Sequence, residues 1–461
     1  MSLESISSLE VDAAIPSAPA DPWPYPRQAW YAVSIFALAL TMNFLDRGII
    51  SLLFQPLKHD LHLSDVQLGL ITGLAFSLFY AFLGIPIARL ADVGVRRTIV
   101  GVGIAVWSVM TAACGLAGSF WQLFLFRVGV GAGEACNGPA TFSMLADYFP
   151  REKLPRAIAV LNFGFIAGTG LASLLGGIVI HLLSNTPPAT LPILGTLHVW
   201  QLTFMAVGIP GLLVSALLWT VKEPPRRGRL GDGGKNGRPA SMPIRDVVRF
   251  FIDNRATYVP MFVGLGCNTI MAFGIQAWTP EYFRRSFGWA PADLAMVLGV
   301  CILIVAPFGA MCGSWLAERL EKQGRDDANL RVVVFAAILL APGLLAFSMA
   351  PTAWIAIGCF CYTQFISRWN VGPQNAALQV VTPNQMRGQI TALFLFIFNL
   401  VGFGMGPTIV AMTTEYVYGA ENMLRYSIAT VVIVLAPCAV LSLWWGLKAY
   451  ARSVAVSKTW G

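Results

Sequence analysis

Twelve apolar runs fill most of this chain, each long enough to cross roughly 30 Å of hydrocarbon as a helix. They lie near 29–55, 66–90, 97–117, 120–147, 157–183 and 199–221, then near 257–283, 291–317, 330–350, 353–381, 388–414 and 424–449. A chain written this way is expected to be an all-α integral membrane protein. Composition agrees, because only 12% of residues are charged, half the roughly 25% of a soluble domain. The net charge of +8 comes from basic residues clustered between the apolar runs. It therefore reads as topology, and nucleic acid is not an expected partner.

Between the two sets of six lies the longest polar stretch, 222–255, rich in Pro, Gly and Arg and ending in a possible surface helix from Ile244 to Phe251. The expected organisation is an N-terminal tail (1–27), a six-helix bundle (28–221), a linker with a short amphipathic helix (222–255), a second bundle (256–450) and a tail (451–461). The first tail mixes acids with five prolines and lacks the basic start and apolar run of a signal peptide, so it is expected to be a disordered leader.

Outside the apolar segments, Lys and Arg fall in the two tails and in alternate loops, with only Lys58, Arg284, Arg285 and Arg425 in the opposite loops. The positive-inside rule then puts both termini and the linker in the cytoplasm. The absence of any Asn-x-Ser/Thr sequon suits a bacterial inner membrane.

Five ionisable side chains lie inside the apolar segments: Asp46 and Arg47 in the first, Arg127 and Glu134 in the fourth, Arg368 in the tenth. A charge at bilayer depth costs roughly 2.5–3.5 kcal/mol on insertion scales, so it normally faces a bundle interior and has a partner there. Arg127 and Glu134 are two helical turns apart and point the same way. Gly129, Gly131 and Gly133 between them are expected to let the first span approach closely. Asp46 and Arg47 diverge by about 100°. Asp46 is therefore assigned towards Arg127, and Arg47 towards Glu134 or the cytoplasmic gate. An Arg that leaves and returns to a buried carboxylate lets it take and lose a proton, which would couple protonation to alternating access. The alternative is a permanent ion pair tying the two spans.

Arg368 stands alone among amides, including Gln364 and Asn370. It can contact an anionic substrate, or bond helix-end carbonyls, or snorkel to an interface. Candidate substrate-binding residues are Arg127, Arg368, Gln364, Asn370, Asn268 and Gln276. The amides can equally act as interhelical glue. Tyr80, Phe82, Phe163, Phe273, Trp278, Phe394 and Phe398 either line an apolar cavity or face core and lipid.

The halves echo each other. Leu90-Ala91-Asp92 followed by Arg96-Arg97 ends the second segment, and Leu316-Ala317-Glu318-Arg319 ends the eighth. Asp92, Arg96, Arg97, Glu318 and Arg319 are candidates for a cytoplasmic latch that forms when the protein faces outward and breaks when it faces inward. Arg127 precedes Gly138-Pro139 as Arg368 precedes Gly372-Pro373. Duplicated bundles of this kind hold substrate at midplane on the pseudo-twofold axis. The glycine runs 164–170 and 402–406 would let helices cross closely and rock, or serve static contact.

At Ala88-Arg89-Leu90-Ala91-Asp92-Val93-Gly94-Val95-Arg96-Arg97 the chain resembles the major facilitator superfamily, with departures at Ala88, Val93 and Val95. Within it the chain is most similar to the spinster family of lipid transporters, through Asn43-Phe44-Leu45-Asp46-Arg47, the stretch from Arg127 to Ala135, the stretch from Phe273 to Pro280 and the run Gly402 to Pro407. The first-span and fourth-span charges also resemble those of organic anion:cation symporters. The resemblance implies twelve transmembrane helices in two pseudo-symmetric six-helix bundles and proton-coupled movement of a lysophospholipid or sphingoid phosphate. A soluble organic anion is the alternative substrate. The expected partners are a small amphipathic substrate, protons and membrane lipid, with the protein a monomer. No nucleotide-binding loop, metal-ligand spacing or nucleophile elbow occurs, so neither an enzyme nor a cofactor is expected. The eight cysteines read as small buried hydrophobes.

Overall fold

A computed structural model describes residues 23–150, 153–184, 189–191, 195–226, 244–383 and 386–458. Residues 1–22 of the expected leader, most of the linker's Pro/Gly/Arg stretch and the last residues of the C-terminal tail lie outside them. Among the described residues the long helices fall in chain order into groups consistent with twelve spans. In the first half these are span 1 (Pro26–Leu52), span 2 (Asp65–Thr72 and Leu74–Val93), span 3 (Arg96–Cys114), span 4 (Phe120–Glu134 and Asn137–Tyr148), span 5 (Leu154–Ser184) and span 6 (Val199–Leu218). In the second they are span 7 (Arg255–Phe287), span 8 (Pro291–Lys322), span 9 (Ala328–Ser348), span 10 (Ala353–Ser367 and Val371–Val380), span 11 (Arg387–Ile397 continuing through Gly406–Met412) and span 12 (Leu424–Ser457).

Local chemistry sets where these helices begin and break. Ser64 and Gln67 form a reciprocal capping box at the start of span 2, with the Gln67 amide donating to Ser64 Oγ at 3.2 Å and the Ser64 amide donating to Gln67 Oε1 at 3.0 Å. Ser119 and Thr352 cap spans 4 and 10 in the same sense. Gly288, at φ +72°, closes span 7 in the left-handed conformation that suits glycine. Spans 4 and 10 are broken in mid-course, immediately after Glu134 and at a 3₁₀ turn of Arg368–Asn370. Span 11 passes through a π-helical stretch, Phe398–Met405. Such irregularities in a helix often mark functional positions.

The linker helix runs Ile244–Asp253 and seats Val247 against Tyr258 and Met261 of span 7. Span 12 continues to Ser457, beyond the bundle boundary at 450 expected from hydropathy. Its last turns are held by Tyr450 and Val454, both buried against the second bundle.

The halves meet along two glycine seams. A Cβ on Gly170 of span 5 would sit 2.8 Å from the Gly299 carbonyl of span 8, and one on Gly299 would sit 2.7 Å from the Gly170 carbonyl. A Cβ on Gly69 of span 2 would lie 2.9 Å from the Thr408 Cα of span 11. Backbones this close require residues without side chains. Gly170 belongs to the first of the two glycine runs. Within the second, a Cβ on Gly406 would meet the Gly274 nitrogen of span 7 at 2.8 Å, a contact inside the C-terminal half.

Candidate functional site

Asp46 and Arg47 follow one another on span 1 and diverge as a helix requires. Asp46 faces Arg127, with Oδ1 3.5 Å from Nη1, and both side chains are almost wholly buried. Arg47 reaches Glu134, its Nε and Nη2 both 2.7 Å from Oε2. Spans 1 and 4 are thus joined by two parallel ion pairs of opposite polarity.

The two pairs are not equally satisfied. Arg47 Nε donates a charge-assisted bond to Glu134 Oε2 and Nη2 lies within ion-pair distance of the same oxygen, while Oε1 is buried with no protein hydrogen-bond partner. Neither oxygen of Asp46 and none of the three guanidinium nitrogens of Arg127 makes a hydrogen bond of good geometry with the protein. Buried polar groups are almost always paired. Here the hydroxyls of Ser108 and Thr111 on span 3 and Ser77 on span 2 are buried and unpaired too. The result is a cluster of buried polar atoms with spare hydrogen-bonding capacity.

The glycines of span 4 act differently from expectation. A Cβ on Gly133 would strike the Trp107 backbone and one on Gly129 the Met110 side chain, both on span 3, while one on Gly131 would strike the backbone of Phe76 on span 2. Residues four apart share a helix face and the residue between them points away. The three glycines therefore admit spans 2 and 3 on opposite sides and leave span 1 to approach over Arg127 and Glu134.

Arg47 carries a second set of contacts. Its guanidinium lies 4.5 Å from the ring centroid of Phe76, 5.0 Å from Tyr80, 5.7 Å from Phe44 and 5.4 Å from Phe403. The first three belong to the N-terminal half and Phe403 to span 11. Of the other aromatic candidates, Phe273 touches Phe403 and Phe398, Phe394 touches Phe398, and Trp278 is buried with its Nε1 donating to the Pro407 carbonyl. Phe82 is exposed against Phe396, and the Phe163 side chain lies outside the described residues.

Arg368 opens the 3₁₀ turn of span 10, with its Nε buried and unpaired. No carboxylate pairs with it among the described residues. Its Cβ is backed by Gly309 of span 8, where an added Cβ would lie 3.1 Å away. Asn370 is buried with Oδ1 unpaired, and Asn268 is buried with both amide atoms unpaired. Gln364 is half-buried and Gln276 exposed.

Among the described residues, no ion pair joins the latch candidates Arg96 and Arg97 of the first half to Glu318 and Arg319 of the second. Arg96 is buried and pairs with Asp147, and with Glu223 at 2.8 Å, while the Arg97 amide donates to Glu223 at 2.8 Å. These contacts stay within the N-terminal half and its connection to the linker. Glu318 and Arg319 are exposed, Arg319 lying over Trp315 of its own helix. The Asp92 side chain lies outside the described residues.

At the other end the halves are tied by charge, which the sequence reading did not foresee. Asp65 of span 2 accepts two bonds from Arg285 of span 7, at 2.7 and 2.9 Å. Arg285 also donates to Glu281 at 2.6 Å, and Lys58 bridges Asp65 at 2.5 Å and Glu421 at 2.7 Å. The backbone amide of Val66 donates to Glu415, in the π-helical turn Thr413–Tyr418 that follows span 11, at 3.0 Å. A cavity of about 200 Å³ lies beside this network, lined in part by Lys58, Asp65, Glu415 and Glu421. Three of the four basic residues that break the positive-inside pattern, Lys58, Arg284 and Arg285, belong here; that exception was the available signal.

The pattern of the Major Facilitator Superfamily matches residues 36–407 of the chain. An efflux pump of that type from Mycolicibacterium smegmatis is 29% identical over 398 residues, 85% of each chain. The Drosophila melanogaster protein spinster is 23% identical over 84% of this chain, which spans 62% of that protein. The crystal structure of a bacterial homologue of the human lysosomal transporter spinster, inward-facing and unoccupied, superposes with a TM-score of 0.74 at 26% identity, covering 95% of this chain and 98% of that one. Twelve spans in two halves, charges buried between spans 1 and 4 and these likenesses agree: the chain belongs to the Major Facilitator Superfamily of membrane transporters and is spinster-like within it.

Proposed function

We propose that this transporter is proton-coupled and moves an amphipathic, lysophospholipid- or sphingoid-phosphate-like lipid by alternating access. It does so as a monomer in a bacterial inner membrane, with both termini in the cytoplasm. The observation that carries the coupling is the uneven satisfaction of the two ion pairs. Glu134 has one oxygen fully engaged by Arg47 and one free, and Asp46 stands 3.5 Å from Arg127 without a hydrogen bond. A proton added at Glu134 Oε1 cancels the charge that holds Arg47, and an Arg drawn away from a carboxylate leaves it ready to take a proton. Arg stays charged throughout, so it is the moving counter-charge and the carboxylates are the proton carriers.

Rocking of the two halves about the seams of spans 5 with 8 and 2 with 11 would alternate access. Asp65, Lys58, Arg285 and Glu421 act as the gate on the non-cytoplasmic side, and Asp92, Arg96, Arg97, Glu318 and Arg319 as the cytoplasmic latch. The closed Asp65 network, the contacts of Arg96 within its own half and the exposure of Glu318 support a conformation open to the cytoplasm. Arg368, half-buried with its Nε shielded and no acid beside it among the described residues, suits an anionic headgroup, with Arg127, Gln364, Asn370, Asn268 and Gln276 as further polar contacts and the aromatics meeting the acyl chain.

A binding screen on the purified protein with lysophosphatidic acid, sphingosine phosphate and small sugar acids tests the substrate. Saturable binding of the lipids supports the reading. Binding of the sugar acids alone overturns it in favour of a soluble organic anion.

A further inference from the structure

Phe403 belongs to the C-terminal half yet lies over a charged group of the N-terminal half. Arg47 spends Nε and Nη2 on Glu134, and its guanidinium is enclosed by the rings of Phe44, Phe76, Tyr80 and Phe403. An arginine desolvated among aromatic faces is held by their quadrupoles as well as by its carboxylate. Three of the four rings move with Arg47 in any rigid rotation of the halves, and Phe403 does not.

The local backbone explains how Phe403 gets there. It lies in the π-helical stretch Phe398–Met405, where the register departs from an α-helix and side chains are re-aimed. Gly402 and Gly404 flank it, so neither of its chain neighbours carries a side chain. Phe403 is braced from its own side by Phe273 of span 7, ring centroids 4.7 Å apart, and meets Phe76 of span 2 across the halves at 5.6 Å. When spans 2 and 11 part, Phe273 travels with Phe403, and the cage around Arg47 loses one wall.

We propose that Phe403 is a positioning residue for the Arg47–Glu134 ion pair, holding Arg47 on its carboxylate only while spans 2 and 11 are in contact. The inference rests on the proton-coupling reading above and adds the part that reports the position of the C-terminal half to the proton site. Closure on Phe403 favours the charged pair, and its withdrawal loosens Arg47 and favours a protonated Glu134. The ionisable groups facing Glu134 are Arg47 and Asp46 from span 1 and Arg127 from its own span. Tyr80 of span 2 acts on Arg47, and Cys114 of span 3 faces Asp46 and Arg127. Span 11 contributes Phe403.

The test needs no substrate. The full-length protein, reconstituted in lipid, is titrated while the infrared carbonyl band of protonated carboxyl groups is followed, and the Glu134 component is identified by its loss in Glu134→Gln. Phe403 is then replaced by mono-, di- and trifluorinated phenylalanine, which keep the ring's shape while draining its negative face. The Glu134 midpoint is expected to move to higher pH stepwise with fluorine number, by about half a unit in total. The same series at Phe273, which touches Phe403 but does not lie over Arg47, is expected to leave the midpoint in place. A midpoint indifferent to fluorination at 403, or equally responsive at 273, overturns the inference. If the unsubstituted protein shows no titrating Glu134 band between about pH 4 and 10, the coupling reading itself falls and the inference with it. A titrating band that ignores Phe403 sinks the inference alone.

Discussion

Asp65 and Arg285 join the two halves of the transporter through a bidentate ion pair, with both carboxylate oxygens bonded at 2.7 and 2.9 Å and both side chains about 95% shielded from solvent. A planar guanidinium matched to a carboxylate adds direction to the attraction. Glu281 and Lys58 bind the outer flanks of the same pair, so its charges are compensated on every side. Single-charge removal here strands a partner in a buried site.

Asp65→Asn is expected to destabilise this closed end by about 3 kcal/mol, the low end for breaking a buried pair, because Glu281 remains to hold Arg285. A cysteine at position 66, in a background free of the eight native cysteines, should then react faster with a membrane-impermeant thiol reagent. Unchanged labelling and an unchanged thermal midpoint would show that the pair does not hold the end shut.

Asp46→Asn preserves shape but cannot exchange a proton. In proteoliposomes, pH-gradient-driven transport of the lipid that binds in the screen should fall at least tenfold while equilibrium binding persists. Glu134→Gln should show a similar or milder loss, since it leaves Arg47 a neutral acceptor. Wild-type transport by Asp46→Asn, with the same response to an imposed gradient, would make Asp46 a structural residue only.

Arg368→Gln should weaken binding of lysophosphatidic acid by about ten- to a hundredfold, the loss of charge-assisted bonds worth about 1.5–3 kcal/mol. The thermal midpoint should hold or rise, because the substitution removes a half-buried charge that has no acidic partner among the described residues. A fall in stability with unaltered binding would assign Arg368 to helix contact instead.

Gly299→Val places branched carbons where even a Cβ would sit 2.7 Å from the Gly170 carbonyl. The seam of spans 5 and 8 must open to accept it, at a cost of about 1–3 kcal/mol. Disulfide trapping between cysteines introduced across this seam should become slower than in the parent. Unaltered trapping would mean that the seam relaxes freely.

Hydropathy alone predicts twelve spans, and the helices of the described residues are consistent with that count, because lipid forces every apolar crossing to satisfy its backbone within a helix, and that demand is written in each segment separately. The charged residues of spans 1 and 4 were equally legible, since a buried charge needs a partner and helical geometry assigns neighbours Asp46 and Arg47 to different ones. What the chain's linear order does not carry is which surfaces meet. The glycines of span 4 were visible, yet only the assembled bundle decided that they receive spans 2 and 3. Lys58, Asp65, the Glu281–Arg285 pair of span 7 and Glu421 come from separate elements and become one network only when the halves close. Phe403 reads as one more apolar residue in span 11 and acquires its place over Arg47 through a π-helical register and a crossing with span 2. Helix periodicity fixes the face a side chain shows, whereas its partner depends on how the halves rotate against each other, and that is a property of tertiary structure.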